Sequence, residues 1–358
     1  MPSTMQKAVF VNEIGKPLEP GERAVPKPGN KEILIKIHST MLLPHDTYGR
    51  DFGLFIAENL PYVLGTNITG TVKAMGRDVT GHHIGDRVFG TGNPLSKLPD
   101  FAGLQQYALL DDRGTAKIPE HVSFEEASCY PVNVVTSAAA LFLPIGLGLA
   151  APFLSGELDK TPDLSSNTGR AMVIIGGGSN VGKLAIQFAR IAKVGKVITV
   201  ASAKKEARSL ELGATHVIDR HLSNEVIAAQ VRRMLDDGND GTLSVYDCVT
   251  WDFTLTLSIV SPTKPSIIAC LHPVEKCAEQ ATEKGVLARV QLIRGTLDFL
   301  DPLSAGLWRI LPKWIEGGHL WIPSYRVVDG LDLVAIGDEL DSYRDGSSVV
   351  PLIVRPNL

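Results

Sequence analysis

Two spacings of apolar residues divide the chain. In its first third, apolar and polar positions alternate in short runs: KAVFVNE (Lys7–Glu13), EILIKIHST (Glu32–Thr40), NITGTVKAMG (Asn67–Gly76), DRVFGTG (Asp86–Gly92) and LQQYALLD (Leu104–Asp111). Each run is bounded by Gly, Pro or Asn, so the pattern predicts the short strands of a partly closed, all-β barrel. From about residue 124 the spacing becomes helical. FEEASCYPVNVVTSAAALFL (Phe124–Leu143) opens with acids, and Pro131 near its middle predicts a break or kink. The polar stretch Ser155–Arg170 reads as a surface loop.

Beyond that loop, short apolar runs alternate with amphipathic ones. Strands are predicted at Met172–Ile175, Val197–Val200, His216–Ile218, Ser244–Asp247 and Ile267–Leu271, with helices at Leu184–Lys193 and Lys204–Leu212 between them. Such alternation implies a parallel sheet covered by helices on both faces. Two helices, Trp308–Gly317 and Leu331–Tyr343, and a strand in VVPLIVRP follow. The expected fold class is therefore α/β, a β-barrel domain joined to a doubly wound parallel sheet.

Composition narrows the partners. With 358 residues the chain has room for two domains, and its 44% hydrophobic content supplies their cores. The 35 basic and 39 acidic residues leave a net charge of −4, which gives no electrostatic reason to expect nucleic acid or an anionic membrane. The apolar run Leu141–Leu154 is too short and too broken by Pro and Gly to span a bilayer. The N-terminus lacks the basic and apolar regions of a secretory signal. Cys129, Cys248, Cys270 and Cys277 form no C-x-x-C pair and read as reduced thiols. A cytoplasmic protein is expected.

The chemistry begins at GGSNVG (Gly177–Gly182), between the apolar strand AMVIIG and an amphipathic helix. Backbone N–H groups of Gly177, Gly178, Ser179, Asn180 and Val181 are placed to meet a pyrophosphate at the helix N-terminus. Ser179 stands where G-x-G-x-x-G has its second glycine, and its hydroxyl is a candidate donor to a phosphate oxygen. An NAD site puts an acid at the end of the second strand, roughly 20 residues on. Here VITVASAKKEA offers Ser202, Lys204 and Lys205, with Arg220 after the third strand, so NADPH is expected rather than NADH. Cys270 and Leu271 complete the expected cofactor set.

ILIKIHSTMLLPHDTYGRDFG, YVLGTNITGTVKAMGRDVTGHHIGDRVFG, the Ala102–Tyr107 segment, GGSNVG and LELGATHVID together resemble the zinc-independent medium-chain dehydrogenase/reductase superfamily. Within it the chain is similar to quinone oxidoreductases and to trans-acting enoyl reductases of fungal polyketide pathways. The resemblance implies a GroES-like catalytic domain (residues 1–134, with the chain returning to it over 307–358) and a Rossmann domain (135–306). Cofactor and substrate would share the cleft, in a monomer or homodimer. Zinc-dependent relatives carry a Cys and a His-Glu pair where this chain has Met41-Leu42-Leu43-Pro44 and Gly65-Thr66-Asn67, and residues 91–103 hold no Cys. No catalytic metal is expected.

Without a Lewis acid, conjugate reduction suits the site: hydride to the β-carbon of an enone or enoyl thioester, a hydrogen-bonded enolate, and a proton to the α-carbon. Tyr48 matches a D-T-Y of quinone oxidoreductase relatives, where the polyketide reductases place a lysine, and is the candidate donor. Thr136 matches the threonine beside the nicotinamide. His45, Tyr48, Phe52 and Asn67 are the candidate substrate contacts, free or carrier-bound, while Asp46 and Arg50 hold their loop. Leu43, Asn67 and Pro351 depart from the family pattern. These departures speak for a non-redox cyclase or isomerase or a protein that only binds NADPH, while the intact phosphate turn equally suits a quinone reductase as the other alternative.

Overall fold

In the computed structural model, residues 4–153, 162–235, 242–260, 263–301, 303–321, 323–347 and 350–358 are described. Residues 155–161 of the predicted surface loop, and Leu154 at the end of the apolar run, lie outside them. The chain divides into two units. The first comprises Met1–Val132, Trp308–Gly318 and Ile322–Leu358; the second comprises Asn133–Leu307 and His319–Trp321.

The first unit is built on antiparallel strands. Its long strand Glu32–Met41 pairs with Asn67–Met75, Tyr107–Asp111 and the C-terminal Leu352–Arg355. Ile33 faces Met75 at one end of this ladder and Met41 faces Asn67 at the other, with two register shifts between them. Alternation buries one row of side chains: Ile33, Ile35, Ile37, Ile68, Val72 and Val88 form one core. A second core gathers Val9, Val11, Leu42, Val63, Leu64 and residues of the helix Leu333–Arg344. The polar strand Glu19–Ala24 (EPGERA), paired with Met5–Val11, gives no apolar alternation and is invisible to pattern reading. The LQQYALLD strand begins only at Tyr107. Ahead of it the backbone bonds to the first strand, Leu104 accepting the Val9 N–H at 2.9 Å and Ala8 bridging Gln105, whose side-chain amide donates to the carbonyls of Pro99 and Ala102.

The helical stretch after residue 123 breaks where proline predicts. Ser123 and Glu126 form a capping box for Phe124–Ser128, and Pro131 opens a second helix, Pro131–Phe142.

In the second unit six parallel strands lie in the order His216–Asp219, Lys196–Ala201, Ala171–Ile175, Leu243–Asp247, Ser266–Cys270, Ala288–Leu292. This is the 3-2-1-4-5-6 order of a doubly wound fold. The order reverses between Ala171–Ile175 and Leu243–Asp247, so a crevice opens at the carboxyl ends of those two strands. Val173, Ile198, Val245 and Ile268 are fully buried in the sheet's core. The predicted helix Lys204–Leu212 is a 3₁₀ turn, Ala203–Lys205, running into the helix Glu206–Leu212. Within the predicted loop, Ser165–Thr168 forms a helical turn.

Candidate functional site

The dinucleotide turn lies at the reversal point of the second unit's sheet. Gly176 leaves its strand with φ of +88°, a left-handed conformation that glycine adopts without strain. The helix Asn180–Ile191 then starts with Ser179 at its N-cap. A Cβ on Gly177 would overlap the Thr199 hydroxyl on the neighbouring strand, and one on Gly182 would overlap the Gly176 carbonyl. Both glycines are therefore required for helix and strand to approach. Of the five N–H groups expected to meet a pyrophosphate, that of Gly177 donates to the Val200 carbonyl at 3.2 Å and that of Ser179 to the Gly176 carbonyl at 2.9 Å; among the described residues those of Gly178, Asn180 and Val181 are left for an anion.

One expectation is corrected here. The Ser179 hydroxyl accepts the N–H of Gly182 at 3.1 Å and donates to the carbonyl of Gly176 at 2.8 Å. With its proton given to Gly176, it has none to give a phosphate oxygen; Ser179 is a helix cap. Replacing it with alanine should lower stability by about 1 kcal/mol, the usual loss of an N-cap. Dinucleotide affinity should change less than about threefold. Thermal unfolding and a fluorescence titration check both parts, and a large affinity loss with unchanged stability would restore the phosphate role.

A group of cations surrounds this turn. Lys205 extends over it, its Cδ and Nζ lying 3.7 and 3.9 Å from where a Gly178 Cβ would stand. Lys183, in the fourth position of the turn helix, has its Nζ 5.1 Å from the centroid of the Trp321 ring, and Arg208 lies 5.2 Å from the same ring. Burial and the neighbouring charges of Lys205 and Arg208 push the Lys183 ammonium down to about 8. Arg208 has Glu211 at 2.7 Å; among the described residues no ion pair joins Lys183, Lys204 or Lys205 to a carboxylate. Ser202 is half-buried ahead of the exposed Lys204 and Lys205. Arg220 follows the third strand, its N–H donating to Ala201.

Sequence reading missed Lys183, Arg208 and Trp321. It also missed Asp219, which is paired in register with Ala201 and accepts the Ala203 N–H at 3.3 Å. Asp247, fully buried, closes the fourth strand: it accepts the N–H groups of Val249 (3.2 Å) and Thr250 (3.0 Å) and the hydroxyls of Thr250 and Thr256. Cys270 is corrected as well. Its thiol is wholly buried and donates to the carbonyls of His272 and Gln291, which leaves only backbone for a cofactor; Leu271 beside it is half-buried. Thr136 is buried on the helix Pro131–Phe142, and the next residue, Ser137, donates to the Val181 carbonyl at 3.0 Å.

In the first unit the helix Pro44–Phe52 carries His45, Asp46, Tyr48 and Phe52. The buried Asp46 carboxylate accepts the Leu43 N–H at 2.8 Å and the Gly65 N–H at 2.9 Å, tying the helix start to the loop 64–66. That tie brings His45 Nε2 to 2.9 Å from the Thr66 hydroxyl. Both line a small depression whose other walls include Leu54, Phe55, Ile56 and Val63. Arg50 clamps the far end of the helix through Asp51 and Asp341 at 2.6 and 2.7 Å.

The other candidates of this unit separate. Tyr48, half-buried, lies with its ring 6.5 Å from that of Phe52, which is 72% exposed. Neither lines the depression around His45. Asn67 is fully buried, and its side-chain oxygen accepts the Val132 N–H at 2.8 Å, holding the start of the helix Pro131–Phe142. Through that oxygen it is an internal anchor, while its side-chain nitrogen is buried without a hydrogen-bond partner among the described residues. Among the described residues no three His, Cys, Asp or Glu side chains gather as a metal-binding group, and no helix is long and apolar enough to cross a membrane.

Comparison with known proteins agrees with this architecture. The family model of the alcohol dehydrogenase GroES-like domain matches residues 29–120. A trans-enoyl reductase from Aspergillus flavipes is 32% identical, over 97% of this chain and 98% of that protein. Among solved structures, a quinone oxidoreductase from Coxiella burnetii superposes with a TM-score of 0.71 at 23% identity, over 98% of this chain and 99% of the other. A mycobacterial protein solved in complex with NADPH gives a TM-score of 0.70 at 21% identity, over 98% and 100% of the two chains.

Proposed function

The chain belongs to the medium-chain dehydrogenase/reductase superfamily, and from that membership we propose that it is an NADPH-dependent reductase of an α,β-unsaturated carbonyl compound. Oxidoreductases of this superfamily work with a nicotinamide cofactor, and the second unit fits one. Its turn keeps Gly177 and Gly182 where helix and strand approach, and it is bordered by Lys183 and Lys205, which pair with no carboxylate among the described residues. The N–H groups of Gly178, Asn180 and Val181 would bind the pyrophosphate, while those of Gly177 and Ser179 hold the turn by donating to the Val200 and Gly176 carbonyls; Ser202, Lys204 and Lys205 would bind the phosphate on the adenosine ribose. When bound, the cofactor supplies a hydride to the β-carbon of the conjugated double bond.

The observation that carries the substrate reading is the His45–Thr66 hydrogen bond in a depression otherwise walled mainly by aliphatic and aromatic groups. A few polar donors among apolar walls suit a molecule with one carbonyl on a hydrophobic skeleton. Thr66, accepting from His45 Nε2, would donate its hydroxyl to the carbonyl oxygen as it takes on enolate charge, and Leu54, Phe55 and Ile56 would exclude water. Thr136 would orient the carboxamide of the nicotinamide. The Aspergillus flavipes relative is a trans-enoyl reductase by its name. By analogy, the substrate proposed here is an enoyl or enone intermediate of specialised, polyketide-type metabolism.

The test is a panel of enones, enoyl thioesters and quinones mixed with NADPH. Consumption of NADPH at about 1 per second or faster with an enone or enoyl thioester is expected. Turnover with quinones alone would replace the substrate reading, and NADPH binding without turnover on any member would remove the reductase reading.

A further inference from the structure

Lys183 breaks a rule that helices usually keep. The N-terminus of a helix carries partial positive charge and favours anions, so a lysine in its first turn is unfavourable. A helical side chain also leans back over the turn preceding its own Cα, which aims Lys183 at the end where the dinucleotide turn lies. The surroundings compound the mismatch. The charged groups facing Lys183 are the cations Lys205 and Arg208, from the segment after the second strand. Of the two acids on that segment, Glu206 and Glu211, the second is drawn to Arg208, and among the described residues neither pairs with Lys183. From the returning chain comes an indole, Trp321, whose position is fixed rather than incidental: Gln187 accepts the Trp321 N–H at 2.6 Å and donates to the Lys183 carbonyl at 3.1 Å. A half-buried ammonium held against a ring, beside two more cations and with no acid paired to it among the described residues, is unfavourable unless an anion joins it.

We propose that Lys183, seated on Trp321 beside Arg208, is a specificity-determining group for the phosphate on the adenosine ribose of the dinucleotide, acting together with Lys205. This deepens the NADPH reading and rests on it. The phosphate would bring two negative charges into a cluster that lacks them, and Trp321 would keep the ammonium from swinging out to solvent. A consequence distinguishes Lys183 from its neighbours. Because its ammonium is pushed down to about 8, its charge is present at neutral pH and is lost as the pH rises past that value. A phosphate monoester is already dianionic from about pH 7 upward. Preference for NADPH over NADH should therefore fall in mildly alkaline solution.

The experiment measures dissociation constants for NADPH and for NADH by fluorescence titration, between about pH 7 and pH 9.5, above the second ionisation of the phosphate. It uses the full-length protein and its Lys183→Met and Lys183→Arg variants. In the unsubstituted protein, NADPH affinity should fall about tenfold across the range while NADH affinity stays level. Lys183→Met should weaken NADPH about tenfold at pH 7, change NADH less than about twofold, and abolish the pH dependence. Lys183→Arg should keep the preference and also be level with pH, since a guanidinium does not titrate there. Intact NADH binding shows that a variant is folded. A Lys183→Met variant with unchanged preference, or a Lys183→Arg variant with the original pH dependence, overturns the inference and leaves the NADPH reading standing. An unsubstituted protein that binds both dinucleotides equally at pH 7 overturns both.

Discussion

Asp46→Ala should destabilise the first unit by about 3–5 kcal/mol, the loss of two hydrogen bonds to a buried carboxylate. The carboxylate accepts the N–H of Leu43 and of Gly65, and its side chain is almost fully buried, so no water is at hand to replace it. Both amides would be left unsatisfied inside the fold. Asp46→Asn is not a mild alternative. An amide has one accepting oxygen, so its NH₂ would face one of the two N–H groups, donor against donor, and a loss of about 2 kcal/mol is expected. Denaturant unfolding gives the totals, and hydrogen exchange gives the location: the Leu43 and Gly65 amides should lose protection first. The His45–Thr66 contact depends on the same tie, so activity should fall in Asp46→Asn even at temperatures where the protein stays folded. Wild-type protection of both amides in Asp46→Ala would refute this account.

The contrast between Asp46 and Asn67 shows how far a sequence reads into such a site. Strand alternation and the Gly-rich turn announced both sheets, because burial on one face or two imposes those periods on the chain. Asp46 was expected to hold its loop because it matches a family position, and its carboxylate does accept the Leu43 and Gly65 N–H groups. Asn67 read as a substrate contact because it stands at a family position; burial of its whole side chain was decided by the approach of Val132, 65 residues away. Ser179 misled for a related reason. A hydroxyl at a phosphate turn and a hydroxyl at an N-cap are the same residue in sequence, and only the 2.8 Å bond to Gly176 separates the roles. Trp321 had no local signal at all, as it meets Lys183 from 138 positions further along the chain. The polar strand Glu19–Ala24 was hidden because its pairing is made by backbone groups, which any sequence possesses.

Gly177→Ala should weaken NADPH about tenfold or more and lower the stability of the second unit by about 1–3 kcal/mol, as overpacking of a close contact does. The methyl group has no free direction. It would overlap the Thr199 hydroxyl and come within 3.0 Å of Thr199 Cβ and 3.2 Å of Ile186 Cδ1. Thr199 cannot turn away freely, since its hydroxyl donates to the Ile174 carbonyl at 3.1 Å inside the sheet. The turn must therefore lift off the strand, carrying with it the N–H groups proposed to bind the pyrophosphate. Two companion variants isolate that cause. Gly178→Ala meets only the flexible end of Lys205 at ordinary contact distance, so its stability should stay within about 0.5 kcal/mol of the unsubstituted protein. In a Thr199→Ala background the worst overlap is gone, and Gly177→Ala should lose about 1 kcal/mol less than it does alone. Strictly additive losses in that double-mutant cycle would mean that the damage at Gly177 comes from its backbone conformation and not from the strand beside it.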